Sequence, residues 1–289
     1  MADQTPPTEP RRERGAPEPA AHDSEVVVHT ELVGPEPAAA LAGILDTNPP
    51  DGALFPLWHW VYLLERRPQH ELGPDGHPTS GIPAPPGQGC RRMFAGGRVT
   101  TDQPLRQGHE ATRTTQIIRT THKDGRSGPL SFVTVRHSYE QDGHLCVVDE
   151  QDIVYRQPGA PLEARPGSLA DPAWPGRAQP CLALTADEAL LFRFSALTYN
   201  AHRIHYDHQW AAREGYPGLV VHGPLQALLM AEFLRRQGVE LAGRTFAYRL
   251  VAPMTGPQTL VAQAGPRGLP SDVEIRSVHG VVTAAGEVR

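Results

Sequence analysis

The 289-residue sequence has no window approaching the roughly 18 consecutive apolar residues that a membrane helix needs, and this excludes a helical membrane span. It has no C-x-x-C pair. Its three cysteines, Cys90, Cys146 and Cys181, are odd in number and far apart, which argues against a disulfide framework and a thiolate metal knuckle and fits a reducing cytoplasm. It has no G-x-S-x-G, so the nucleophile elbow of a serine hydrolase is missing, and no H-E-x-x-H. The one start for a dinucleotide loop, Gly87-Gln88-Gly89, meets Arg92 where a third glycine belongs. Positive charge is in deficit, with Lys+Arg 27 against Asp+Glu 32 and a formal net charge of −5, so nucleic acid is excluded as a main partner. Residues 1–24 lack the apolar core of a secretory signal, and their Pro, Glu and Arg content reads as a disordered tail.

What the sequence has in abundance is turn-formers, Gly 28 and Pro 30, and they are concentrated. One concentration, residues 68–89, is too polar and broken for an element and reads as a long insertion, functional or mobile. Another, residues 157–180, reads as a linker between a first unit at 25–156 and a second at 181–289, a division that suits the chain length. In the first unit the bulky run Leu54 to Glu65 predicts a helix ending at Pro68. Short β-branched runs follow from Arg91 to Arg156, with Lys123-Asp124-Gly125 and Gln141-Asp142-Gly143 as hairpin turns. The second unit repeats this order: a helical region from Thr185 to about Arg236, then strands at Thr245–Val251, Thr259–Ala264, Val273–Ser277 and Val281–Ala285. A faint echo of Phe94-Ala95, Arg98-Val99 and Pro104-Leu105 in Phe246-Ala247, Arg249-Leu250 and Pro253-Met254 agrees with a duplication.

Leu225 to Arg236 is apolar almost all round for two turns, with Pro224 suited to its first position and Gly238 just beyond its end. Such a helix needs burial on every side, and antiparallel strands after it predict an α+β fold in which a sheet wraps a central helix.

The densest polar segment lies just ahead of that helix: Tyr199-Asn200-Ala201-His202-Arg203-Ile204-His205-Tyr206-Asp207, then His222-Gly223. An imidazole can take and return a proton at neutral pH, and an amide beside it can position water. The Gly223 N–H, at the positive end of the helix, can donate to a developing oxyanion. A histidine near an apolar helix is more often structural than catalytic, but three such features in one segment shift the balance toward a site. His202, His205, Asp207 and His222 could also ligate a metal; without cysteine support or H-E-x-x-H that reading ranks below proton transfer. Arg91, Arg92, Arg98, Arg113 and Arg119 could meet a phosphorylated carrier, or stand solvated on strand faces.

The segment resembles the hydratase 2 motif of MaoC-like dehydratases, D-x-N-P-[IL]-H-x-D followed by G-x-x-x-x-[IL]-x-H-G. The longer strings FRFSALTYNAHRIHYD and GYPGLVVHGPL look closer to the branch of mesaconyl-C4-CoA hydratases and 3-hydroxyacyl-thioester dehydratases, and RRMFAGGRV is similar to the degenerate first half of that branch. The resemblance spans about residues 28–289. It implies a double hotdog and reversible hydration of a 2-enoyl thioester of CoA or acyl carrier protein. No metal, other cofactor, nucleic acid or membrane is implied, and pairing into a homodimer is left open. The family's catalytic histidine falls on His205 and its carbonyl-polarising glycine on Gly223; Tyr199 and His222 flank the substrate side. The family's aspartate falls on Asn200 and its asparagine on His202, so His205 works with Asn200 holding the water, or with His202 as a second proton-transfer group. The first unit lacks an equivalent segment, which predicts one site per chain and an acyl tunnel, or merely core, around Trp58, Trp60 and Tyr62. A hotdog thioesterase and a non-catalytic acyl-thioester binder are the competing classes.

Overall fold

In the computed structural model, residues 25–83, 90–125, 128–156 and 180–289 are described, so the expected N-terminal tail and nearly all of the expected linker lie outside the described residues. The first part contributes strands β1 (Val27–Leu32), β2 (Arg91–Thr101), β3 (Glu110–Gly125), β4 (Gly128–Gln141) and β5 (His144–Arg156), with helix α1 (Pro35–Ile44). The second contributes β6 (Cys181–Ala186), α2 (Glu188–Leu197), α3 (His208–Arg213), β7 (Leu219–Val220) and α4 (Gly223–Arg236), followed by β8 (Arg244–Leu250), β9 (Thr255–Gly256), β10 (Gln258–Ala264), β11 (Asp272–Arg276) and β12 (Val282–Val288).

Ten strands form one antiparallel sheet in the order β1-β3-β4-β5-β2-β8-β12-β11-β10-β6. Counted within each part, the first, third, fourth, fifth and second long strands follow one another from either outer edge, so the two parts share one topology and meet through their second strands. At that seam Thr100 opposes Thr245 and their hydroxyls lie 2.8 Å apart. The echo between Phe94-Ala95 and Phe246-Ala247 therefore falls on equivalent strands, β2 and β8. Helix α4 packs on β6, β10, β11 and β12 and is buried at eleven of its fourteen positions, including Gln226 and Glu232. Gln226 accepts from Thr283 Oγ1 at 2.7 Å, and Glu232 is held by Arg235 and Arg236. This is the wrapped central helix of a double hotdog.

The hairpin joining β4 and β5 turns at Asp142 and Gly143, both with positive φ (51° and 78°), as an Asp-Gly turn demands. The helix expected over residues 54–65 is not formed. Only a 3₁₀ turn, Trp58–Val61, occurs there, flanked by Leu57 and Leu63 at φ 66° and 50°, conformations that interrupt a helical hydrogen-bond ladder. Every residue from Trp58 to Leu63 is buried, and Trp60 and Tyr62 also line a cavity beside the first sheet. The helix of the first part is instead α1, nucleated by Pro35 at its first turn and an alanine run that loses little side-chain entropy. The helical region expected from Thr185 is also shorter than read: Thr185 belongs to β6, where it opposes Thr259, and β7 interrupts the stretch before α4.

Candidate active site

Asp187 caps α2 by accepting the Leu190 N–H at 2.8 Å, and the helix ends where Tyr199 adopts φ 51°. That reversal returns the Asn200 N–H to the Ser195 carbonyl at 2.9 Å. Residues Arg203–His205 then form a 3₁₀ turn, and Asp207 starts α3 by accepting the Trp210 N–H at 3.0 Å. β7 pairs with β9 and leads directly into His222 and the first turn of α4. Two short caps and a two-residue strand thus fix the polar segment against the mouth of the buried helix.

His205 is buried, and its Nδ1 lies 2.7 Å from the Val220 carbonyl. A carbonyl only accepts, so Nδ1 carries the proton and Nε2 keeps its lone pair. Burial pushes the His205 pKa well below 6.5, and the neighbouring His222 and His202 add to the effect. His202 meets His205 edge-on at 5.5 Å, and its Nε2 lies 3.6 Å from Glu214. Burial works to raise the Glu214 carboxyl, but His202 and a 2.6 Å hydrogen bond from Trp210 Nε1 bring it below the usual range. Asn200 Oδ1 accepts the His202 N–H at 3.0 Å, which fixes the carboxamide.

Asn200, His202, His205 and Gly223 all line one cavity of about 560 Å³ between the two parts of the sheet. Gly223 is the first residue of α4, so its N–H has no intrahelical acceptor. Tyr199 stands at the cavity with 54% of its surface exposed. His222 does not line the cavity: it is fully buried behind His205, with Nε2 2.8 Å from Ser195 Oγ, and burial lowers its pKa to about 3. It supports the His205 ring and does not stand on the substrate side. Asp207 is likewise remote from ligation, held by Arg203 Nε at 3.0 Å as it caps α3.

The 68–89 insertion, expected to be functional or mobile, contributes part of its length to the site. Asp75 O accepts the Arg203 N–H at 2.8 Å, Pro74 O accepts from Arg203 Nη1 at 3.1 Å, and the His77 ring lies 4.0 Å from that of His202. Burial lowers the His77 pKa to about 4 against the opposing pull of Asp75, 3.0 Å away. Asp75, His77 and His202 each bring one potential metal-ligand atom within 4.8 Å of the others, a set different from the one read from spacing. The Asp75–His77 hydrogen bond already accounts for two of those atoms. The Asp75-Gly76-His77-Pro78 stretch carried no signal for this docking, because the contact is set by backbone shape.

A hotdog with a buried imidazole, a fixed amide and a free helix N-terminus around one thioester-sized cavity defines the hydratase and dehydratase class. Residues 57–256 match the family of hydroxyacyl-thioester dehydratases type 2. The chain is 45% identical over 259 residues to the mesaconyl-C(4)-CoA hydratase of Chloroflexus aurantiacus, covering 87% of this chain and 91% of that one. It is 25% identical over 230 residues to the mitochondrial hydroxyacyl-thioester dehydratase type 2 of Schizosaccharomyces pombe, covering 70% and 74%. The solved structure of HtdX from Mycobacterium tuberculosis superposes with a TM-score of 0.65 at 15% identity over 92% of this chain and 99% of that one. A MaoC-like dehydratase from Phytophthora capsici gives 0.63 at 12% identity over 92% and 95%. The chain belongs to the hydroxyacyl-thioester dehydratase type 2 family and is a hydro-lyase of enoyl and hydroxyacyl thioesters. Among the described residues no helix is long and apolar enough to cross a membrane.

Proposed function

We propose that the chain adds water across the C2=C3 bond of a short 2-enoyl-CoA, and catalyses the reverse elimination, at one site in its second hotdog. The observation that carries this reading is the 2.7 Å bond from His205 Nδ1 to Val220 O, which leaves Nε2 basic beside a cavity that Gly223 also lines. In the forward direction His205 Nε2 takes a proton from water as its oxygen bonds to C3. The C2=C3 electrons move into the thioester, and the enolate oxygen accepts from Gly223 N–H. The imidazolium then returns the proton to C2, giving the 3-hydroxyacyl thioester. A donor of this kind contributes about 3 kcal/mol to lowering the barrier. Asn200 orients the water, and its Oδ1 bond to the His202 backbone keeps the carboxamide in place. His202 Nε2 is directed to Glu214, which supports a wall and orienting role and leaves both proton transfers to His205.

Mesaconyl-C4-CoA, named for the 45%-identical relative, is the first substrate to test, ahead of acyl-carrier-protein thioesters. The free thiols Cys90 and Cys146 support a reducing, cytoplasmic setting. The test follows the absorbance of the conjugated thioester with mesaconyl-C4-CoA and crotonyl-CoA. The purified protein turns over at least one of them, and His205→Ala lowers turnover by three orders of magnitude or more without altering the melting temperature by more than a few degrees. Unchanged turnover in His205→Ala removes the residue from the mechanism, and release of free CoA in place of hydration assigns a thioesterase.

A further inference from the structure

The cavity at His205 continues into a second one of about 280 Å³ in the concave face of the first hotdog; Arg92, Arg113, Thr198 and Asn200 line both. A chamber beyond the reacting carbons is where the far end of an acyl group goes, and a chamber for alkyl chains is lined by carbon. This one is polar. The strand register sets Arg113 opposite Tyr139 and His137 opposite both Thr115 and Asp149, and Trp60 and Gln151 complete its wall.

The charges in that wall do not cancel. Among the described residues neither Arg92 nor Arg113 forms an ion pair, whereas their strand neighbours Arg98 and Arg136 both pair with Glu150. Arg113 Nε is buried without any hydrogen-bond partner, and the guanidinium otherwise reaches the Tyr139 hydroxyl. Such an orphaned donor is costly unless something arrives to accept from it. The acids close by have other partners, although Asp149 Oδ1 is itself buried without one. Glu65 accepts from Arg67 Nε at 2.6 Å, and Asp149 Oδ2, behind the wall, accepts from Trp60 Nε1 at 2.8 Å and Gln151 Nε2 at 2.7 Å. His137, 2.9 Å from Thr115 Oγ1, is pushed down to about 4 by burial and stays neutral at physiological pH, with Arg113 and Arg92 among the groups that disfavour its charge. Two guanidiniums thus face a small chamber whose lining carboxylate, Glu65, is already held by Arg67.

We propose that Arg92 and Arg113 are specificity-determining residues that bind a carboxylate at the far end of the acyl chain, so that the enzyme selects short dicarboxylic enoyl thioesters over their alkyl counterparts. The inference rests on the hydratase reading above. Guanidinium binds carboxylate through paired, charge-assisted hydrogen bonds that a terminal methyl cannot replace. The phosphates of CoA share the same chemistry, but the buried Arg113 Nε, walled by Tyr139 and Trp60, suits a small planar anion at the end of a chain.

Fumaryl-CoA and crotonyl-CoA, equal in length and differing only in a carboxylate for a methyl, separate these sources. The wild type favours fumaryl-CoA in kcat/KM by tenfold or more, and Arg113→Gln and Arg92→Gln each lower that ratio at least tenfold. A wild-type preference for crotonyl-CoA overturns the proposal. So does an equal fall for both substrates in well-folded variants, which assigns the arginines to the CoA phosphates. If loss of the partly buried Arg113 side chain makes its variant unstable, Arg92→Gln and Arg113→Lys decide on the same ratio. Calorimetric binding of succinyl-CoA against butyryl-CoA gives a readout without turnover: a preference for succinyl-CoA that the variants lose upholds the carboxylate site even if no hydration occurs, and equal binding in the wild type overturns it. Absence of hydration with that preference intact would count against the hydratase reading alone.

Discussion

His205 and His222 lie face to face, ring centroids 3.6 Å apart and 18° from parallel, with His222 tied through Nε2 to Ser195 Oγ at 2.8 Å. The stack and the Val220 carbonyl fix the proposed base from two directions. A base held this way adds protonic reactivity only while its lone pair is aimed at the reacting water, and a misplacement of about 1 Å can cost on the order of 100-fold. His222→Ala, which leaves one face of His205 unsupported, therefore lowers kcat by about 10- to 100-fold with little change in KM. Ser195→Ala, which removes only the hydrogen bond to His222, gives a smaller loss, corresponding to about 1 kcal/mol. Steady-state kinetics on both variants check this; an effect confined to KM would show that the stack does not orient the base.

The pH profile carries a second expectation. Burial holds His205 well below 6.5, so its neutral form is complete at neutral pH, and kcat/KM stays flat from about pH 8 down to about pH 6.5, the ordinary histidine value. An acid limb centred at or above 6.5 contradicts the environment described for this ring.

Stability follows the same groups. His77 and His137 are pushed to about 4 and His222 to about 3, each chiefly by burial, from an unfolded value of 6.5. Between those values the unfolded chain binds more protons than the folded one. The stabilisation is intact above pH 6.5 and is lost as pH falls toward 4, by up to about 1.4 kcal/mol per pH unit for each histidine. Denaturant midpoints measured from pH 7.5 to 4.5 should drop steadily across that window, and His137→Gln should flatten the slope.

Much of this molecule was readable in its residues, and the failures have physical causes. The β-branched runs from Arg91 onward and the Asp142-Gly143 turn specify strands locally, and α4 announces itself because a helix apolar on every side has one place to go. The shared motif brought Asn200, His202, His205 and Gly223 to one cavity because a single short segment carries them. The Leu54–Glu65 run misled because bulky side chains report burial, not conformation: residues that all point into a core fit an irregular segment as well as a helix. Arg92 and Arg113 could be read only as contacts for a phosphorylated carrier or as solvated charges, because nothing in an alternating strand says which face lines a cavity. The docking of the 73–78 loop was hidden because it depends on main-chain contacts made across more than a hundred residues.

Gly76 makes that docking testable. It sits at φ +89°, and a Cβ there would stand 1.8 Å from the Ala201 carbonyl oxygen, inside the proposed catalytic segment. Gly108, at φ +82°, would meet nothing within 4 Å. Both substitutions to alanine carry backbone strain of about 1 kcal/mol or more, but only Gly76→Ala must also push the loop off Ala201. Its kcat/KM falls tenfold or more, while Gly108→Ala loses stability alone. Equal activity in the two variants would detach the loop from the site.

Gly223 stands under a similar constraint at the mouth of α4. An added Cβ would lie 2.3 Å from Leu250 Cδ1 and 3.1 Å from Phe94 Cδ1, both cavity residues. Alanine keeps the N–H that the proposed oxyanion contact needs, so any loss in Gly223→Ala comes from displacement and not from deletion of the donor. If the amide must hold its place, activity falls by about 10- to 100-fold, at or below the lower end of the roughly 100- to 1000-fold loss found when such a donor is removed outright. The obstructing atom is the end of a flexible leucine, and Leu250→Ala clears it. The double variant should regain at least part of the lost kcat, an interaction that a thermodynamic cycle across the four proteins measures directly. Strict additivity of the two losses would mean that the tight packing around Gly223 plays no part in aiming its N–H.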